Sequence, residues 1–179
     1  MVYGRDPEGR FGLRADADGD GWDPEWPVVM IDWEGARAYA AWLAGPGLEA
    51  VREHFDFAAR TREATGIDGV SLGGMLALET GLRHPDAFGT VGAIQPAISE
   101  RFEALALLAS PGRQQIRLLS SDDDPFLAPT LALSDGLTAR AIEHDRLVVP
   151  GPHGYAFNRG PGAIELLFFH DRALAREPL

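Results

Sequence analysis

The 179-residue chain contains no cysteine. Disulfide cross-links, thiolate nucleophiles and cysteine-ligated zinc are therefore excluded. Lysine is absent too, since every basic residue is arginine. That removes Schiff-base chemistry and the phosphate-binding lysine of P-loops. Positive charge is scarce: 16 basic against 27 acidic residues give a formal net charge of −11. Such a surface repels nucleic-acid backbones and anionic lipid, so neither nucleic acid nor membrane is an expected partner. No apolar run approaches the roughly 20 residues that span a bilayer. The segment Met1–Pro7 also lacks the apolar core of a leader peptide, so the expected location is the cytoplasm.

Tryptophan is missing from most of the chain. Trp22, Trp26, Trp33 and Trp42 all lie in the first quarter, and none follows. The break falls near Gly45-Pro46-Gly47, a tripeptide that stops a helix. It divides the chain into a Trp-rich N-terminal segment, residues 1–47, and a second part, residues 48–179. In the first, residues 1–27 read as loop and Val28–Ile31 as a short β-prone run. Residues 32–44 read as a helix, with Trp33, Ala36, Tyr39, Ala40 and Leu43 on one stripe. Asp16, Asp18, Asp20 and Gly21 mimic the start of an EF-hand loop. Its twelfth position is Pro27 rather than a bidentate Glu, so a solvated acidic loop is expected there.

The second part alternates. Helices are expected over 48–64, 72–83, 99–108, 127–141 and 161–175, and short apolar strands over 67–70, 90–94, 116–119 and 146–149. Strands alternating with amphipathic helices give a parallel sheet with helices on its faces.

One motif in this part carries chemistry. Gly69-Val70-Ser71-Leu72-Gly73-Gly74 satisfies G-x-S-x-G and falls at an expected strand-to-helix turn. A turn that tight strains the serine backbone, and side chains at Gly69 and Gly73 are expected to collide with their neighbours. It projects the Ser71 hydroxyl at the C-terminal edge of the sheet, beside a helix N-terminus. There the backbone N–H of Leu72 is placed to donate to a developing oxyanion. The competing reading is a Gly-rich turn with an incidental serine.

The run from Ile67 to Ile98, IDGVSLGGMLALETGLRHPDAFGTVGAIQPAI, resembles the esterase family of α/β hydrolases that includes S-formylglutathione hydrolases, feruloyl esterases and enterochelin esterases. G-x-S-x-G-G, a helix, His-Pro-Asp-x-Phe and a small-residue strand follow that family's order. The resemblance extends over about residues 48–179. It implies a partial α/β-hydrolase fold: a parallel sheet of about four strands with helices on both faces, beside the Trp-rich loop-and-helix segment. In such a fold the acid and the histidine follow the serine in that order, each on a loop after a strand. Asp122-Asp123-Asp124 follows the third strand, and the family pattern implies Asp124, before Pro125-Phe126, with Asp123 as the fallback. The other aspartates read as a solvated turn capping the next helix. His153, in a Gly/Pro loop after the last strand, is the implied general base. His54, His84, His144 and His170 read as structural or surface residues.

The first quarter looks different. Residues 16–43, DADGDGWDPEWPVVMIDWEGARAYAAWL, resemble a segment of the formylglycine-generating enzyme (sulfatase-modifying factor) family. That family's oxidase chemistry depends on cysteines, and this chain has none. A whole α/β hydrolase also carries several strands before the nucleophile, and one of their loops supplies the second oxyanion N–H. Val28–Ile31 is the one candidate upstream strand. Two consequences are expected. Loss of an oxyanion donor costs about 10²–10³ in rate. The strand before Ser71 exposes an edge that invites self-association unless Val28–Ile31 covers it. The expected activity is hydrolysis of a small carboxylic ester through an acyl-Ser71 intermediate, with no cofactor or metal. The rival expectation is a non-catalytic remnant or binding module.

Overall fold

A computed structural model describes residues 3–5, 11–13, 43–54, 61–99 and 102–174. The chain divides into two compact units, Met1–Ala38 and Tyr39–Leu179. In the first, β1 (Tyr3–Arg5) and β2 (Phe11–Leu13) pair antiparallel, where the sequence reads as loop. Pairing with a partner strand stabilises segments whose own strand propensity is low. The expected strand 28–31 and nearly all of the expected helix 32–44 lie outside the described residues.

In the second unit a wide helical turn, Leu43–Gly47, leads into α1 (Leu48–His54). The helix expected to reach residue 64 does not do so, since residues 61–64 form a bend and turn. Thr61 accounts for the difference locally: its hydroxyl accepts the Ala64 N–H and its carbonyl accepts the Thr65 hydroxyl. Such local bonds compete with the helical ladder.

Four strands follow: β3 (Gly66–Val70), β4 (Thr90–Ile94), β5 (Gln115–Asp123) and β6 (Asp145–Pro152). They form one parallel sheet in sequential order. Three helices make the crossovers: α2 (Leu72–Arg83), α3 (Phe102–Leu108) and α4 (Leu127–Ala139). Every crossover steps the same way along the sheet, so right-handedness sends all three helices to one face. Packing follows that rule. Leu78 and Leu82 of α2, Leu105 of α3, and Leu133 and Leu137 of α4 close over Val91, Ala93, Ile116 and Leu118. The alternate residues Ile94 and Leu119 face the other way, against Phe157 and against Leu166 and Phe169 of α5 (Ala163–Leu174). Both faces are thereby covered by helix.

Arg117, on the α5 side of β5, is buried and donates to Glu165 of α5 at 2.7 Å, tying that helix to the sheet. A second tie is the 3.0 Å contact between His170 of α5 and Asp68 of β3. Among the described residues β3 pairs with β4 alone. Val28–Ile31, the expected cover of its other edge, lies outside them. No helix among the described residues is long and apolar enough to cross a membrane.

Leu118 is fully buried in the three-helix core. Leu118→Ala is expected to cost about 2–5 kcal/mol, the range for a large-to-small change in such a core. Urea unfolding would show it as a lower midpoint at unchanged slope.

Candidate active site

Val70, Ile94, Leu119 and Leu147 stand side by side in the parallel register. β3 and β4 both end at this row. β5 and β6 do not: they continue as a two-strand ribbon to Asp123 and Pro152, with a bulge between Ser121 and Asp123. The residue after each strand end is therefore Ser71, Gln95, Asp124 or His153. A bulge bends its strand and re-aims the side chains beyond it.

Ser71 has φ 54° and ψ −118°, a strained backbone for a residue bearing a Cβ. Hydrogen bonds hold it there. Its N–H donates to the Ile94 carbonyl at 2.9 Å, and its carbonyl accepts from Met75 N–H at 3.1 Å and Ala97 N–H at 2.9 Å. The turn is closed tightly enough that a Cβ on Gly69 would lie 2.2 Å from the Gly73 carbonyl oxygen. Gly73 departs from expectation. A Cβ there meets nothing within 4 Å, whereas one on Gly74 would press on the Gly69 and Ile94 carbonyls at 3.0 and 3.2 Å. The second glycine that the packing requires is Gly74, because it faces back into the turn and Gly73 faces out.

Asp124 has no exposed side-chain surface. Burying a carboxylate demands donors for its oxygens, and they are present. The Ser120 hydroxyl donates to Oδ2 at 2.6 Å, and the Phe126 N–H donates to Oδ1 at 2.9 Å. The imidazole of His153 completes the set, with Nδ1 2.9 Å from Asp124 Oδ1. A carboxylate only accepts, so Nδ1 carries the proton and Nε2 presents a lone pair. That Nε2 lies 3.1 Å from Ser71 Oγ. The Phe126 ring packs edge-on against the imidazole, with centroids 5.4 Å apart.

The structure thus brings together three residues that the sequence singled out separately, Ser71, Asp124 and His153. Leu72 opens α2, where a first-turn N–H has no intrahelical acceptor; its side chain is half exposed. Asp123, the fallback acid, is exposed. Asp122 does something the sequence reading missed. Instead of capping the next helix, its carboxylate accepts the Gly151 N–H at 2.9 Å. Gln95 was also missed: it is fully buried and donates to Ser121 Oγ at 2.6 Å and to the Pro152 carbonyl at 3.0 Å. The available signal was a lone amide between a small-residue strand and a proline.

The other histidines have settings of their own. His84 ends α2, His144 shares a hydrogen bond with Ser134 at 2.7 Å, and His170 meets Asp68. Among the described residues no three His, Asp or Glu side chains gather as a metal ion would require. Asp16, Asp18 and Asp20 lie outside those residues. A cleft of about 280 Å³ bounded by Gln115, His144 and Asp145 sits at the opposite, N-terminal ends of β5 and β6. Ligands of open parallel sheets bind beyond the carboxyl ends instead.

A parallel sheet covered on both faces, with this chemistry beyond its carboxyl edge, is the architecture of an α/β hydrolase. Residues 34–145 match the sequence model of the family described as "Putative esterase", and the chain belongs to that family. The matched stretch contains Ser71 and Asp124 and stops before His153. Among solved structures, a ferulic acid esterase is similar at a TM-score of 0.64 and 20% identity, over 75% of this chain and 60% of that one. The enterobactin esterase FES from Shigella flexneri is similar at 0.62 and 22%, over 82% and 43%. The serine hydrolase FphF of Staphylococcus aureus, described as fluorophosphonate-binding, is similar at 0.60 and 13%, over 73% and 62%. The chain thus spans about three fifths or less of each of these relatives, and at such identities the likeness is one of fold. No curated protein matches the chain. The likeness of residues 16–43 to the formylglycine-generating enzyme family gains no support from these matches.

The glycine geometry separates two substitutions. Gly69→Ala is expected to cost several kcal/mol or prevent folding, since the added methyl meets backbone. Gly73→Ala is expected to leave the melting temperature unchanged or raise it, because Ala in a helix is favoured over Gly by up to about 1 kcal/mol. Thermal denaturation of both variants checks the order.

Proposed function

We propose that this chain is a carboxylic-ester hydrolase acting through an acyl-Ser71 intermediate. The supporting observation is the hydrogen-bonded relay at the carboxyl edge of the sheet, 3.1 Å from Ser71 Oγ to His153 Nε2 and 2.9 Å from Nδ1 to Asp124. Membership of the esterase family supports the ester as substrate class.

The chemistry follows from the positions. As Ser71 Oγ attacks the ester carbonyl carbon, its proton passes to His153 Nε2. The imidazolium so formed is stabilised by the buried Asp124 carboxylate, which also fixes the tautomer needed at the start. The carbonyl oxygen gains negative charge in the tetrahedral intermediate, and the Leu72 N–H at the positive end of α2 is the donor proposed for it. His153 then returns the proton to the departing alkoxide, releasing an alcohol and leaving acyl-Ser71. Water, deprotonated by the same imidazole, then attacks the acyl carbon; the bond to Ser71 Oγ breaks, His153 returns the proton to that oxygen, and the acid is released. Every step uses this chain's own residues and calls for no cofactor. Asp122 and Asp123 have no part in proton transfer.

A fluorophosphonate probe tests the reading directly, because it phosphonylates a serine only when a base activates it. Wild-type protein is expected to carry one adduct on Ser71 by mass spectrometry and to hydrolyse a p-nitrophenyl ester. Ser71→Ala is expected to abolish both. Asp124→Asn is expected to lower turnover about 10²–10⁴-fold while the protein stays folded, since it disturbs the tautomer. Folded wild-type protein that takes no label on Ser71 would remove the enzyme reading and leave the non-catalytic one.

A further inference from the structure

The serine and the histidine sit on opposite sides of β4, on turns that do not follow one another in the chain. Their separation must be set by something between them. The Ile94-Gln95 dipeptide occupies that position. The Ile94 carbonyl accepts the Ser71 N–H at 2.9 Å. Next to it, the Gln95 side-chain amide donates one hydrogen to the Pro152 carbonyl, directly before His153, at 3.0 Å. Its other hydrogen goes to Ser121 Oγ at 2.6 Å.

The setting of Gln95 is costly. It has positive φ (43°), it is fully buried, and its Oε1 has no hydrogen-bond partner. An orphaned buried acceptor and a strained backbone both weigh against stability. An apolar residue of the same shape would remove part of that cost, so burial alone does not account for an amide here. We infer that Gln95 is a positioning residue: it fixes the height of the histidine loop and so sets the Ser71–His153 distance. The His153–Asp124 distance is set independently, by the β5–β6 pairing and by the bond from Gly151 N–H to Asp122. Gly151 has φ 142°, so the β6 residue gripped by Asp122 takes a backbone that side chains resist. Together the two grips hold the N–H of Gly151 and the carbonyl of Pro152, the polar main-chain groups leading into the imidazole.

The inference rests on the esterase reading for its kinetic arm but has a second readout that does not. Gln95→Met keeps the volume and removes both donors. It is expected to lower kcat about 10²-fold, the scale of a 1 Å misplacement of a reacting group, with KM within about threefold of wild type. In ¹⁵N-histidine NMR spectra the Nε2 shift of His153 should move to the value found in Ser71→Ala, while Nδ1, bonded to Asp124, keeps its wild-type value. Gln95→Asn, which retains the amide but withdraws it by one methylene, is the second arm and should behave likewise. A folded variant of either kind with wild-type kcat and an unmoved Nε2 signal would overturn the role of Gln95. Wild-type protein without turnover, in which Gln95→Met still moves Nε2 but not Nδ1, would sink the esterase reading and leave the positioning role standing.

Discussion

Parallel strands must share a register before anything at their ends can meet, and here one row of four residues does that work. Val70, Ile94, Leu119 and Leu147 align across the sheet. Ile94 and Leu119 of that row are buried on the α5 side together with Phe157, Leu166 and Phe169. A slip of one residue in any strand would turn its apolar set toward the wrong face. The same slip would carry Ser71 or His153 about 3.3 Å along the strand, the rise per residue, and separate atoms now 3.1 Å apart. The apolar pattern that makes the sheet fold is therefore also what brings the site residues together. Stability and site geometry are secured by the same side chains.

Above that row the balance of forces changes from apolar packing to polar satisfaction. Gln95, Ser120, Ser121 and Asp124 are all buried. Desolvated groups of this kind are tolerated only when bonded, and in a medium of low dielectric each bond is firm. Asp124 has three donors for its two oxygens. The exception is Gln95 Oε1, which has none. A polar network with one unsatisfied member sits beside the backbone strain of Ser71 and Gln95, and the core below it carries the compensating stability.

Much of this was legible from residue order. The four strands and the helices between them stand out because apolar runs of β-prone residues alternate with helical stripes; α2 begins and ends at the residues expected. Ser71 is legible because a tight strand-to-helix turn leaves a mark in glycine. The strand ends were read short. Ser120-Ser121-Asp122-Asp123 and Pro150-Gly151-Pro152 have little strand propensity, yet they extend β5 and β6 by pairing with each other. Pairing partners distant in the chain are invisible to a local pattern. The same reason hid Gln95 and Asp122, whose hydrogen-bond partners lie on strands distant in the chain. Gly73 shows the opposite error. A motif names positions, whereas the direction in which a Cβ would point, and hence which glycine is required, depends on how the turn is wound. The short β1–β2 pair was missed because three-residue strands carry almost no pattern of their own.

Asp124 and His153 follow the two strands of one paired ribbon, β5 and β6, while Ser71 follows β3, two places away from β5. Twisting or flexing of the sheet therefore alters the gap between hydroxyl and imidazole far more than the gap between imidazole and carboxylate. Warming, pressure or mild denaturant should decouple the serine first, leaving the His153–Asp124 pair as the last part of the site to come apart. Of the two contacts, the one between His153 and Asp124 stays within a single ribbon and the one between His153 and Ser71 spans the sheet.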